Sequence, residues 1–315
     1  MTSRPFTLLI VACWLVSMGW LVSTKILPAL REGTPPDFRD EFVNQEKLPP
    51  PPVAWDLFWN DKPLGTSVSQ AYTDDGEPAE FRSLVQLRQL AVKEVAQEFL
   101  GGLAYLAGPL LGSDNTRIDL TIATRLRLDW EGELQVFESA VRTGDGGDLL
   151  FLRGNRTEED RLRLTLLTGD TSIDVPQEFA LPPKSRYAEA FSPRTRMQGL
   201  SLGQRWTTPV VNPLATSESV RLVESLVESR DTIVWQDEPL ETFVVVYRYD
   251  SGSGAAARDP VGRVWVTDDG QVLRQELPIG TARVRFERTS DAQARERGLT
   301  LDRAAFDKHL QRPIQ

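Results

Sequence analysis

The sequence predicts a mainly β protein held at a membrane: an N-terminal transmembrane helix, then a large bent antiparallel sheet, half-barrel or two-lobed, with one covering helix. Three observations predict it. Residues 6–27 (FTLLIVACWLVSMGWLVSTKIL) form a near-continuous apolar run whose one charge, Lys25, lies near its end. Residues 28–52 are broken by Pro28, Pro35, Pro36 and four consecutive prolines at 49–52, with charges throughout. From Val53 onward, apolar and polar residues alternate between turn residues, the period-two pattern of half-buried strands.

The apolar run is long enough to cross a membrane, since about 20 residues rising ~1.5 Å each span a hydrocarbon core of ~30 Å. Residues 1–5 then form a short cytoplasmic tail. The charges flanking the run favour that orientation only weakly; the bulk of polar, foldable chain after it argues for an uncleaved signal-anchor. Two rivals stay open. Ile10-Val11-Ala12-Cys13 is similar to a bacterial lipobox, and cleavage to a soluble form would need a small-residue site that SMGWLVSTK does not offer. The expected location is the bacterial inner (cytoplasmic) membrane, single-pass, with the body in the periplasm or outside. Residues 28–52 cannot bury a core and read as an extended polyproline spacer.

The body, residues 53–288, reads as hairpins. Residues 53–59 and 64–72 flank Asn60-Asp61-Lys62-Pro63, where proline is expected to fix φ in the turn. Tyr72-Thr73-Asp74-Asp75-Gly76 is a tight-turn signal, after which 80–90 alternates again. Residues 117–129, 133–141, 149–153, 161–167 and 172–175 continue the meander. After residue 217 come 219–228, 232–235, 242–249, 263–267, 271–277 and 282–288, with SGSGAAA at 251–257 as a flexible tip. An internal echo links WNDKPLGT at 59–66 with WQDEPLET at 235–242, each followed further on by a TDDG turn. Diverged duplication and shared hairpin chemistry both account for it.

Helix is sparse. Residues 92–111 place Val92, Val95, Phe99, Leu103 and Leu106 near helical spacing; Gly101-Gly102 weakens that helix and Pro109 ends it. It is expected to cover one face of the sheet. A second candidate, residues 301–310, belongs to a helical C-terminal tail, 289–315, and residues 188–196 hold at most a turn of helix.

The rare residues exclude more than the common ones suggest. The net charge of −9 argues against nucleic acid. Cys13 is the only cysteine and lies in the apolar run; His309 is the only histidine, six residues from the end. A Cys–His pair, a disulfide and a Cys/His zinc site are therefore closed off. The acid pairs Asp74-Asp75, Asp237-Glu238 and Asp268-Asp269 fall in expected turns, where Asp serves the backbone, and no calcium-loop run appears. No enzyme, metal or cofactor is expected. Six body tryptophans, Trp55, Trp59, Trp130, Trp206, Trp235 and Trp265, fall in or beside strands and read first as core.

Three patches carry a family resemblance: Trp55-x3-Trp59 with Gly65, Ser192-Pro193 with LSLGQRW at 200–206, and GRVWVTDDGQVLR at 262–274. Together they resemble poorly characterised exported bacterial β-rich proteins, similar in outline to LolA-type lipoprotein carriers and to the non-catalytic β segment preceding transglutaminase-like domains. The carrier resemblance implies a concave apolar face under a helical lid, with Phe99, Leu103 and Tyr105 on the lid and Trp130 on the face as ligand-binding candidates. The transglutaminase association imports no chemistry, because its cysteine–histidine–aspartate set is absent. The reading reached is a membrane-anchored, extracytoplasmic, non-catalytic binding or scaffolding module, such as a subunit of a cell-envelope complex. Its alternatives are a carrier of a lipid or hydrophobic ligand and a carboxylate-dependent hydrolase.

Overall fold

A computed structural model describes residues 13–14, 16–20, 50–72, 79–91, 117–129, 134–144, 147–159, 161–168, 171–180, 186–187, 193–211, 220–249, 259–279 and 282–310. Fifteen strands form one sheet. The first eight are β1 (Val53–Trp59), β2 (Lys62–Tyr72), β3 (Glu80–Ala91), β4 (Arg117–Leu128), β5 (Leu134–Thr143), β6 (Asp148–Arg156), β7 (Arg161–Thr168) and β8 (Thr171–Ala180). The other seven are β9 (Arg186–Tyr187), β10 (Arg205–Val211), β11 (Val220–Trp235), β12 (Glu238–Tyr249), β13 (Gly262–Thr267), β14 (Val272–Ile279) and β15 (Ala282–Arg288). Two helices follow, α1 (Asp291–Gly298) and α2 (Arg303–Leu310), joined by a 3-10 turn at Leu299–Leu301.

The spatial order is β8-β7-β6-β5-β4-β3-β2-β1-β15-β14-β13-β12-β11-β10-β9. Every antiparallel pair but one joins strands consecutive in the chain; the exception is β1 with β15, paired from Trp55↔Arg288 to Trp59↔Val284. The two halves of the meander are thus sewn together where the body begins and ends. The last pair, β9 with β10, is parallel.

This order forces curvature. Laid flat, fifteen strands at about 4.8 Å spacing would put β8 and β9 roughly 67 Å apart. Only residues 181–185 join them, and six extended Cα steps reach about 21 Å at most. The sheet therefore curls until its two edges nearly meet. β-Bulges interrupt the pairing at Leu57/Phe58, Leu87/Leu90, Val141/Arg142 and Val227/Ser229, among others, and each bends and coils its strand. Gly65 sits opposite the first of these. A Cβ there would lie 2.0 Å from the Gln86 carbonyl oxygen, so only glycine lets β2 and β3 approach.

The hairpin at Asn60-Asp61 turns without its proline. Asn60 (φ 46°) and Asp61 (φ 67°) form the two-residue connection, as do Gln236 (φ 51°) and Asp237 (φ 65°). Right-twisted strands need a mirror-image turn with positive φ at both central positions, and proline's φ near −65° cannot supply it. Pro63 and Pro239 instead lie inside β2 and β12. The echo between these hairpins does not extend to a repeat. Residues 73–76 lead from β2 to β3, whereas the second TDDG joins β13 to β14, so common hairpin chemistry accounts for it.

Other readings are corrected too. β11 is one strand, where 219–228 and 232–235 were read as two; the bulge at Val227/Ser229 breaks its alternation without breaking its pairing. β9 and β10 escaped the sequence reading, β10 because Thr207-Thr208-Pro209 blurs its apolar pattern. Residues 193–196 are not helical: Arg196 bridges to Gln271. Residues 13–14 and 16–20 are helical and exposed, but most of the run 6–27 lies outside the described residues. Among those described, no helix is long and apolar enough to cross a membrane. The expected helix at 92–111 also lies outside them.

Alternation sorts the side chains onto two faces. Val53, Trp55 and Leu57 of β1 enter one apolar cluster with Val85, Leu87, Val227, Val245, Val264, Val284 and Phe286; this is the inner face. Ala54, between them, points outward with Val68, Leu84 and Ala123. On that outer face lies the cover, the C-terminal segment itself, where Ala294, Leu301 and Phe306 complete the outer cluster. Ser290 starts α1 with a capping box closed by Gln293.

Candidate functional site

The carrier resemblance placed its candidates on Phe99, Leu103, Tyr105 and Trp130. All four lie outside the described residues, and so does the Asp74-Asp75 pair. What the structure describes is the wall they would face.

The inner wall of β2–β5 is layered. Along β3 it reads Leu87 and Val85, then Ser83, then Phe81; along β4 it reads Leu120 and Ile122, then Thr124, then Leu126 and Leu128. The register stacks the middle positions. Ser69 lies opposite Ser83, Ser83 opposite Thr124, and Thr124 opposite Ser139. Four neighbouring strands thus hold hydroxyls at one height, a belt between two apolar layers. One layer is the large cluster around Trp55 and Phe286; the other joins Ala71, Leu126, Leu128, Leu134, Leu152, Leu162, Leu164 and Leu166.

Half of the belt satisfies itself: the Thr124 and Ser139 hydroxyls are 3.1 Å apart. The other half does not. Ser69 and Ser83 are each 1% exposed, and neither hydroxyl has a hydrogen-bond partner. The indole N–H of Trp55, a fully buried residue on the adjoining strand, has none either. An orphaned buried donor costs about 1–3 kcal/mol, so three on neighbouring strands are a conspicuous feature of the wall. The sequence reading passed over these serines because single serines in alternating strands look like solvent-facing positions. Only the register shows that they align and face inward.

The opposite end of the inner face is closed. Residues 193–204 cross it from the β13–β14 turn to the β11 bulge. Met197 N–H donates to Gly270 O (2.8 Å), Gly203 N–H to Val227 O (2.9 Å) and Val227 N–H to Gln204 O (2.9 Å). Met197 and Leu200 fill the cluster beneath, beside Trp206. Gly270 (φ 84°) allows the crossing, for a Cβ there would meet Met197 O at 3.0 Å. The Tyr247 hydroxyl lies 3.6 Å from the Met197 sulfur, and burial pushes its pKa up against the opposing charge of Arg194.

Charge is concentrated on the outer face, under the C-terminal segment. Arg82 and Arg125, directly opposite on β3 and β4, are 5% and 8% exposed. Glu80 answers Arg82 (2.6 Å), Arg125 (3.2 Å) and Arg127 (3.2 Å). Arg125 also meets Glu138 at 3.5 Å, pairs with Asp307 of α2, and stacks over Phe306. Arg82 donates to Leu301 O (2.9 Å) and stacks over Tyr72, whose hydroxyl donates to the same carbonyl (3.1 Å). Burial alone would raise the Glu80 pKa; the Arg82 hydrogen bond and the charges of Arg125 and Arg82, with Arg127, outweigh it and hold it below the ordinary carboxylate value. His309, on α2, is held below its usual pKa by burial and by Arg142. These groups tie the segment to the sheet.

The remaining acid pairs serve turns. Asp269 accepts from the Thr267 hydroxyl and from Gln271 Nε2 (2.8 Å), while Asp268 pairs with Arg230 at 2.9 Å. Asp237 is the second central residue of its hairpin. Among the described residues, no three His, Cys, Asp or Glu side chains are grouped to hold a metal ion.

No protein-family model matches the chain, and no curated protein matches it. Among solved structures, it is similar to a β-barrel-like protein of the DUF1849 domain of unknown function from Brucella abortus. That likeness has 12% identity and a TM-score of 0.44, and covers 78% of this chain and 98% of that one. It is also similar to a DUF1089 family protein from Pseudomonas aeruginosa, at 14% identity and a TM-score of 0.31, over 67% of this chain and 89% of that one. Both likenesses agree with the coarser part of the resemblance, poorly characterised bacterial β-rich proteins; neither is to a LolA-type carrier or a transglutaminase-associated segment.

Proposed function

We propose that this chain is a non-catalytic binding module, carried on the apolar run at residues 6–27 with its β body outside the cytoplasm. The observation that carries the reading is the curled sheet with a layered inner wall: a lined concavity suits the holding of a guest. The charged groups support it by their placement. Glu80, Glu138, Asp307, Arg82 and Arg125 are engaged with one another beneath the C-terminal segment. The proline-rich residues 28–52 would hold the body off the bilayer.

Native mass spectrometry of the full chain, released from membranes without detergent, tests the reading. The expected result is a stoichiometric added mass, either a small ligand or an envelope protein. A bare chain mass, with the chain folded, overturns the module. Location is tested separately by Leu299→Cys in a chain whose Cys13 is replaced by serine, since Leu299 is exposed. A membrane-impermeant maleimide should label it in intact spheroplasts; labelling only after lysis would place the body inside.

A further inference from the structure

We propose that the Trp55 indole and the hydroxyls of Ser69 and Ser83 form the polar floor of a site for an acyl compound, gripping its carbonyl oxygen. The proposal rests on the binding-module reading and adds the ligand class to it.

The donor set fixes the chemistry. An indole N–H can only donate, and a serine hydroxyl rotates to donate. A guest that satisfies all three must present acceptor oxygen. The floor is also uncharged: Arg82 and Arg125, with Glu80 and Glu138, lie on the outer face of the same strands. A phosphate would call for arginine or lysine, and an ammonium for a carboxylate, so a carbonyl of an ester or acid fits best. Above and below the belt the wall is apolar, with Val85 and Ile122 on one side and Phe81 and Leu126 on the other. A carbonyl flanked by hydrocarbon is the chemistry of an acyl ester or a fatty acid. Ser69 and Ser83 lie directly opposite, their Cβ atoms about 5 Å apart, close enough to share one oxygen.

The test uses the full chain in its membrane with two diazirine-bearing probes, an oleic acid analogue and a dioleoylglycerol analogue, the acid and ester sources of the same carbonyl. After photolysis, crosslinked peptides are mapped in the wild type and in a Ser69→Ala/Ser83→Ala double variant, whose thermal unfolding confirms its fold. Wild type should be labelled on peptides of β2–β5, and the variant at least tenfold less there. Labelling of residues 6–27 should be equal in both, since those residues meet lipid regardless. Preference for one probe identifies the source. Equal body labelling in the two chains overturns the belt as the site but leaves the binding module standing. Labelling confined to residues 6–27 overturns an acyl ligand altogether. Ser→Ala changes that raise thermal stability without altering labelling mean that the hydroxyls are simply unsatisfied, which also overturns the proposal.

Discussion

Replacing Phe306 by alanine should release the C-terminal segment from the sheet. Phe306 is fully buried and packs among Ala54, Val68, Leu84, Ala123 and Leu301. Truncating a buried phenylalanine costs about 3–5 kcal/mol, depending on how far the cavity collapses. Here it collapses little, because its floor is a sheet backbone paired on both sides. Arg125 also loses the ring whose centroid lies 5.6 Å away, worth about 0.5–1 kcal/mol where partly solvated. The expected loss is therefore about 4 kcal/mol, or roughly 10 °C in Tm for a chain of this size. Urea titration of the full chain by circular dichroism should show a lower midpoint at unchanged slope, with faster amide exchange in α1 and α2. Leu299→Ala, an exposed neighbour, should change stability by under about 0.5 kcal/mol. A loss below about 1 kcal/mol for Phe306→Ala would refute the idea that this ring anchors the segment.

Three further perturbations are expected to act in defined directions. The Glu80 pKa in the fold lies below its ordinary value of 4.5, so its contribution is full above about pH 4.5 and drains away as pH falls through the folded value. Glu80→Gln should cost roughly 2–3 kcal/mol at neutral pH, less than a fully buried pair because Arg127 is partly exposed, and should flatten acid denaturation below pH 4.5; an unchanged acid limb would sink this. Gly65→Ala drives a Cβ into the Gln86 carbonyl and should destabilise by at least about 1–3 kcal/mol, whereas a neutral result would mean that β2 and β3 are not in such close contact. Replacing Gln236-Asp237 with Asn-Gly relieves two positive φ angles and should stabilise by about 1 kcal/mol, read as a raised urea midpoint.

How much was legible in the sequence varies by element. β1 and β15 were read to the residue, since alternation such as VAWDLFW and ARVRFER reports a half-buried strand whatever lies beyond it. The hairpin at residues 59–63 was found, but its turn type was misassigned, because a two-residue turn is chosen by strand twist and not by the nearest proline. β11 was split where a bulge interrupts the period, and β9 and β10 were missed. The candidate site was largely illegible. Ser69, Ser83, Thr124 and Ser139 lie far apart in sequence, and nothing local marks them as a row.

The sequence by itself determined the class of structure: an apolar run of membrane-spanning length, a proline-rich spacer and a chain of strands, because length and periodicity are local properties of the polymer. It also determined the chemistry that is missing, since one cysteine in the apolar run and one histidine near the end cannot build the usual catalytic sets. Tertiary structure alone decided that β1 pairs with β15, that the curled sheet brings β8 back toward β9, and that the C-terminal helices cover the outer face. It alone decided that hydroxyls from four strands share one height between two apolar layers. Each of these depends on register between distant segments, and in a sheet a one-residue shift sends every side chain to the other face.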